Sequence, residues 1–424
     1  MTNYAISLNK DLEESVIFNV LSKYGKNIYL PKGIIVQGAE AKGKRYNATI
    51  GIATDHGVPM HLDSIMNCFS PDMKPSELFP YMPSLGKPEL REAWKEEMIF
   101  KNPTLKNKKF SLPLVTAGLT HALYIVSSLF IDKNDAVIMP DMYWENYDLI
   151  FKEHVNAKVK TFKMFKDGKF NIEGLGNTID KINKDKVVIV LNFPNNPSGY
   201  TPSEKEQKEL AKLLTKKATK NKKLVVIMDD AYYSLFYEKD TAKESLFAHL
   251  VDANENLFAI KCDAATKEEM VWGFRVSFIT FGYKGITDKE ITALSNKFAG
   301  AIRGCISNSS TPGQNILLKA MQSPNYHSEK QKGVDVIKER YFALKKALEA
   351  YKSDKRLQVV PFNSGYFMSF YVKNETAEEL RMRLLEKYDL GAIAIGGKYL
   401  RIAFSSIDVE DINEVVERIY KAAK

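Results

Sequence analysis

The stretch VVIVLNFPNNPSGYTPSEKEQKELAKLLTKKATKNKKLVVIMDDAY, residues 187–232, decides the architecture. It opens on Val187–Leu191, a continuous apolar run of the kind found in strands buried on both faces. A turn-forming segment follows, from Asn192 to Gly199. Ser203 and Glu206 then make a capping box ahead of ELAKLL, which predicts a helix. A second apolar run, Leu224–Met228, closes the unit. Strand, helix and strand in this order imply a parallel pair joined by a helical crossover.

The same alternation continues on both sides. Ala136–Met139, Leu257–Lys261 and Val276–Phe281 read as further strands, and Pro88–Phe100 as a helix with proline in its first turn. The expectation is an α/β domain with a mostly parallel central sheet. Beyond Ser309–Gln314 the pattern changes to a long helix near Val334–Tyr351, short strands near Tyr366–Val372 and Leu400–Phe404, and a final helix. That change predicts a second, smaller α+β domain.

With 424 residues the chain can bury a large core, and its 45% apolar and 27% charged content is that of a globular protein. The net charge of +9 is modest. The basic runs Lys106–Lys109 and Lys216–Lys223 carry no interleaved aromatics, so they read as solvated faces and not as a nucleic-acid surface. Cys68, Cys262 and Cys305 are far apart, which predicts neither a disulfide framework nor a zinc site. The polar start MTNYAISLNKDLEE predicts no signal peptide, and the longest apolar stretch, Ala122–Ile131, is too short to span a bilayer. A cytoplasmic protein without membrane or metal partners is the expectation. Gly38 to Lys44 fits the first seven places of a P-loop, but Arg45 stands where a hydroxyl must reach magnesium, so nucleotide hydrolysis is excluded.

In open α/β sheets, ligands bind beyond the carboxyl ends of the strands. Asp229 and Tyr232 follow one strand and Asn196 another; Thr266, Lys267 and Arg275 follow a third. Gly118, Leu119 and Thr120 lead into the apolar helix that begins near His121. A lysine amine condenses with an aldehyde, a carboxylate partners a pyridinium nitrogen, and a helix N-terminus with an arginine holds a phosphate. Pyridoxal 5'-phosphate makes all of these demands together.

The ordered motifs resemble those of the class I and II aminotransferases, pyridoxal-phosphate enzymes of fold type I. Asn196-Pro197-Ser198-Gly199, Asp229 to Tyr232, Lys267 with Gly273-Phe274-Arg275, and Tyr81 to Arg91 stand in the family's order, and Arg275 keeps the family's eight-residue interval from Lys267. The resemblance covers about Asn47 to Arg401. It implies a large domain over residues 55–310, and a small domain formed by 1–54 and 311–424. It further implies that Lys267 holds the cofactor and shuttles the proton, that Asp229 pairs with the pyridine nitrogen, and that Asn196 and Tyr232 bond the ring oxygen. Gly118, Leu119 and Thr120 are implied to cradle the phosphate with Arg275, Thr266 to contact the cofactor, and Trp144 to stack on the ring. Tyr81 is implied to reach the phosphate of a neighbouring subunit, which makes the protein a homodimer. Arg401 matches the clamp on the substrate α-carboxylate, and the segment from Asn47 to Ala53 is implied to border the substrate. Arg303 resembles an arginine that crosses the dimer to a side-chain carboxylate, which implies aspartate or glutamate as donor. Two positions depart from the pattern: Ala264 replaces a phosphate-binding serine, and Leu119 a frequent glycine.

The expected function is amino-group transfer from an amino acid to a 2-oxo acid by a ping-pong cycle. A β-lyase or decarboxylase would use the same cofactor residues, and requirement for a 2-oxo acid separates these. A non-catalytic cofactor-binding regulator needs a DNA-binding domain ahead of the fold. The roughly 45 residues before Asn47 are too few for one.

Overall fold

The structure, a computed structural model, describes residues 3–29 and 33–424. Seven strands form the large sheet: β1 (Leu114–Thr116), β2 (Ala136–Pro140), β3 (Lys158–Phe162), β4 (Lys186–Asn192), β5 (Lys223–Asp230), β6 (Leu257–Ala264) and β7 (Ser277–Gly282). Their spatial order is β1-β7-β6-β5-β4-β2-β3, and only β7 runs against its neighbours. The chain is therefore of the α/β class with a mostly parallel sheet, as its strand–helix alternation predicts. The central strands show why an apolar run was needed. Val187, Ile189 and Leu191 enter one core cluster, while Val188 and Val190 enter the cluster on the opposite face.

Helices flank this sheet. Those used below are α1 (Ile34–Glu40), α2 (Pro88–Lys101), α3 (Leu119–Phe130), α4 (Glu204–Lys217), α5 (Ala265–Glu268), α6 (Asp288–Ile306), α7 (Thr311–Met321) and α8 (Tyr326–Glu349). The capping box of α4 forms as expected: Ser203 Oγ accepts from Glu206 N, and the Glu206 carboxylate accepts from Ser203 N. A second sheet follows, with β8 (Leu357–Val359), β9 (Phe367–Val372), β10 (Ile393–Ile395) and β11 (Tyr399–Ala403) in the antiparallel order β8-β9-β11-β10. Tyr46–Asn47 pairs in parallel with Leu390–Gly391, and Ala403 N donates to Ala48 O. The early segment that carries Thr49 to Ile52 is thereby fixed beside β11.

Gly199 ties the two sheets together. Its φ of +76° is open to glycine, and a Cβ there would lie 1.8 Å from the backbone oxygen of Phe367 on β9. Asn363 N and Ser364 N both donate to Gly199 O, so the Asn192–Gly199 turn is clamped to the second sheet. No helix among the described residues is long and apolar enough to cross a membrane.

Candidate active site

The carboxyl ends of β2, β4, β5 and β6 open onto a cavity of about 340 Å³, a size suited to a small ligand. Lys267, Asp229, Tyr232, Asn196, Arg275 and Arg401 all line it, as do Thr266, Leu119, Thr120 and Trp144. The crevice rule for α/β sheets thus brings together residues from five separate segments, and the second sheet adds Arg401.

Asp229 sits at the end of β5 and is 2% exposed. Tyr147 Oη donates to its Oδ2 at 2.5 Å, while Ala231 N at 3.1 Å and Asn192 Nδ2 at 3.3 Å donate to Oδ1. Burial outweighs these bonds and pushes its pKa up to about 6. A raised carboxylate of this kind costs stability as pH rises from about 4 through 6, and a cation placed beside it would remove that cost. Lys267 follows on α5, which continues β6. Burial and the Arg275 guanidinium draw its pKa down to about 8, and Asp229 opposes them. Its Nζ lies 5.1 Å from the Tyr232 ring centroid. Burial also holds the Tyr232 phenol far above its ordinary value, so it stays a donor.

Arg401, on β11, is 1% exposed and fully enclosed. Its Nη1 donates to Asn196 Oδ1 at 2.9 Å and its Nη2 to Thr49 O at 2.8 Å, and its guanidinium lies 4.2 Å from the Phe367 ring centroid. Its Nε is buried with no partner, and burial lowers its pKa to about 10. A buried cation held by neutral acceptors is an anion site. Because Asn196 gives its oxygen to Arg401, its Nδ2 remains to donate into the cavity.

At the other end, α3 begins directly after Gly118, which has φ of +88° and supplies no side-chain cap. A Cβ on Gly118 would lie 2.1 Å from Arg275 Nη2, so only glycine lets the guanidinium reach the helix N-terminus. Leu119 and Thr120 bring first-turn N–H groups that have no partner within the helix. Thr266 Oγ1 and Trp272 Nε1 are buried without hydrogen-bond partners beside them. Orphaned donors, a helix N-terminus and an arginine form a phosphate-sized cradle.

Three residues singled out in the sequence lie elsewhere. Tyr81 is 90% exposed, and Arg303 is exposed on α6, where its Nη1 donates to Ser307 Oγ at 2.8 Å. Neither lines the cavity of its own chain. Ala53 is fully buried; Ile50, Gly51 and Ile52 form the cavity wall instead, because Ala53 packs inward behind them. Several residues of the wall, and Tyr147 behind Asp229, escaped the sequence reading. Tyr147 stands three places beyond Trp144, a helical spacing that could have marked it, and Asn192 directly follows β4. Ile34, Trp272 and Phe367 carried no signal of their own.

The family model "Aminotransferase class I and II" matches residues 71–419. The chain belongs to this family. A probable aspartate/prephenate aminotransferase of Aquifex aeolicus is 26% identical over 356 residues, 81% of this chain and 83% of the relative. The crystal structure of an aminotransferase from Anaerococcus prevotii superposes with a TM-score of 0.85 at 24% identity, covering 96% of this chain and 100% of that one. An α-aminoadipate aminotransferase from Thermus thermophilus, complexed with N-(5'-phosphopyridoxyl)-L-leucine, gives a TM-score of 0.77 at 20% identity, covering 96% and 98%. The protein is thus a pyridoxal-phosphate-dependent aminotransferase of fold type I, moving an amino group from an amino acid to a 2-oxo acid. The cavity fits that cofactor on its own evidence. The orphaned Thr266 hydroxyl and the Gly118–Arg275 cradle suit the phosphate, Asp229 suits a ring cation, and Lys267 is an amine biased toward its neutral form. The serine missing at Ala264 leaves Thr266 as the hydroxyl on that wall.

Proposed function

We propose that this enzyme works as a homodimer in the cytoplasm, with the following division of labour at each site. The observation that carries the reading is that Lys267, Asp229 and Arg401 line one cavity. When bound, pyridoxal 5'-phosphate supplies an aldehyde that takes up the amine and a ring that accepts electrons from the substrate Cα. Lys267 would hold the cofactor through its Nζ, and the same amine, freed when the substrate amine takes its place, would carry the proton at the substrate Cα. Asp229 holds the proton on the pyridine nitrogen, and Tyr147, Asn192 and Ala231 N keep its carboxylate in place. Asn196 and Tyr232 bond the ring oxygen, and Trp144 covers the ring face. Gly118, Leu119, Thr120, Thr266 and Arg275 hold the phosphate. Arg401, which lines the cavity and whose buried Nε has no partner, takes the substrate α-carboxylate.

The same reading assigns residues 55–310 to the cofactor domain, and 1–54 with 311–424 to the small domain. The pairing of Tyr46–Asn47 with Leu390–Gly391 supports that grouping. Residues 1–2 and 30–32 of the small domain lie outside the described residues.

Tyr81 and Arg303 gain a role only in the dimer. Tyr81 is flanked by Phe79 at 78% exposure, and Ile306 beside Arg303 is also exposed. Such exposed apolar side chains mark surfaces that a partner covers. Among the described residues of its own chain the cavity offers Ile34, Ile50, Ile52 and Phe367 to a substrate side chain and no free cation beyond those assigned above. Arg303 reaching in from the second subunit would supply a cation for aspartate or glutamate. The relatives named as aspartate aminotransferases agree with that donor. Arg303→Ala is expected to lower kcat/KM for aspartate by about 100-fold, the worth of one charge-assisted pair, while leucine is used as before. Unchanged aspartate turnover would rule out Arg303 as the reader of the side chain.

A further inference from the structure

Behind the cavity wall lies a buried charged array that the reaction chemistry does not use. Asp229 and Lys267 face the cavity, yet each is followed by acidic residues that point the other way: Asp230 after Asp229, and Glu268 with Glu269 after Lys267. On β5 this follows from the alternation of strand side chains.

The side chains of Glu268 and Glu269 are fully buried. Glu268 Oε2 accepts from Lys101 Nζ of α2 at 2.5 Å and from Lys330 Nζ of α8 at 3.5 Å. Glu269 Oε1 accepts from Lys330 Nζ and from Tyr326 Oη, both at 2.7 Å. Glu97 Oε1 closes the group, 3.2 Å from Lys330 Nζ and 3.8 Å from Lys101 Nζ. A second group continues it beneath Asp229. Lys261 Nζ lies 2.6 Å from Asp263 and 3.2 Å from Asp230, and Trp94 Nε1 donates to Asp263 at 3.1 Å. The Tyr233 ring lies between the two groups, 5.4 Å from Lys101 Nζ and 5.1 Å from Lys261 Nζ.

Buried ion pairs are a poor way to gain stability, since apolar packing of the same volume does as well or better. What they give is fixed geometry. Five carboxylates (Glu97, Asp230, Asp263, Glu268 and Glu269) face three lysines here, and Glu268 Oε1, Glu269 Oε2 and Asp263 Oδ1 have no hydrogen-bond partner. The surplus is negative, and it lies behind a cavity that gathers Lys267, Arg275 and Arg401. Burial, joined by the neighbouring Glu268, pushes the Glu269 carboxyl up, while Lys330 opposes them.

We propose that Glu268 is a positioning residue for Lys267: clamped by Lys101 and Lys330, it fixes the one-turn α5 helix so that the lysine amine addresses the reacting carbon. The array does the same for Asp229 through Asp230, whose Oδ2 also accepts from Ser245 Oγ at 2.6 Å. This rests on the assignment of Lys267 above.

The test uses the holoenzyme and its visible cofactor band. In Glu268→Gln the band persists and borohydride still fixes the cofactor on Lys267. kcat falls on the order of 100-fold, as for a small misplacement of a reacting group, while KM stays within about threefold. The band's pH midpoint moves down by about half a unit, because a nearby negative charge has been removed. Parental kcat and a parental band titration would overturn the proposal, whatever happens to the Tm. If Glu268→Gln does not fold, Lys101→Gln removes the clamp from its solvent-facing side: kcat falls likewise, while the band's pH midpoint moves up because a nearby positive charge has been removed, and parental values of both overturn the proposal. Absence of any borohydride-fixed cofactor on Lys267 in the parent enzyme would instead overturn the assignment beneath it.

Discussion

Lys267→Ala is expected to lower kcat by at least about 10⁴-fold, the combined worth of a covalent anchor and a positioned proton carrier. Among the described residues, no other cavity group can replace it. Arg275 and Arg401 are guanidinium groups, which do not give up a proton near neutral pH. Lysine at its ordinary pKa would be neutral in roughly one molecule per thousand at pH 7.5. With the value drawn down to about 8, roughly a quarter of the amines are neutral there. The desolvating walls and the Arg275 charge thus make this one lysine reactive. The check is single-turnover kinetics with a saturating amino acid, which separates chemistry from binding. A variant retaining more than about 1% of the parental rate would show that another group carries the proton.

Asp229→Asn is expected to cost about 10²- to 10³-fold in kcat, with KM for the amino acid little changed. The substitution keeps the volume and removes the charge. It also breaks the local bonding, because a carboxylate only accepts hydrogen bonds and an amide both accepts and donates. Three donors converge on Asp229: Tyr147 Oη, Asn192 Nδ2 and Ala231 N. In the variant, the new NH2 group must face one of them, so a buried donor loses its partner. Steady-state rates together with a titration of cofactor affinity check this, the affinity falling about tenfold as the charge pair is lost. Retention of parental kcat would mean that the ring nitrogen does not depend on this carboxylate.

The cavity was legible in the sequence wherever its residues follow a strand. Lys267, Asp229 and Asn196 were found because strand ends in an α/β sheet meet at one edge, and the apolar runs that locate those ends are unambiguous; Arg401, inside β11 of the second sheet, was reached only through the family resemblance. Two strands of the large sheet were not read. β3 is an edge strand with mostly exposed side chains, and β1 has three residues, so neither offers a long apolar run. The long C-terminal helix begins at Tyr326, earlier than the expected Val334, because its first turns are polar. Lys330 in those turns is buried nonetheless, held by Glu97, Glu268 and Glu269. The charged array had no sequence signature for the same reason. Its members come from α2, β5, β6, α5 and α8, and only the folded chain brings those acids and lysines into contact. Tyr147 and Ile34 reach the site through tertiary packing alone: Tyr147 by its bond to Asp229, Ile34 because Glu145 accepts from its backbone N–H at 3.0 Å.

The central claim is that Lys267 holds the cofactor. The purified enzyme, loaded with pyridoxal 5'-phosphate, should be reduced with borohydride, digested, and its peptides examined by mass spectrometry. The account predicts the pyridoxyl phosphate mass on the peptide that contains Lys267 and on no other. The same mass on a different lysine, or on none, would contradict it.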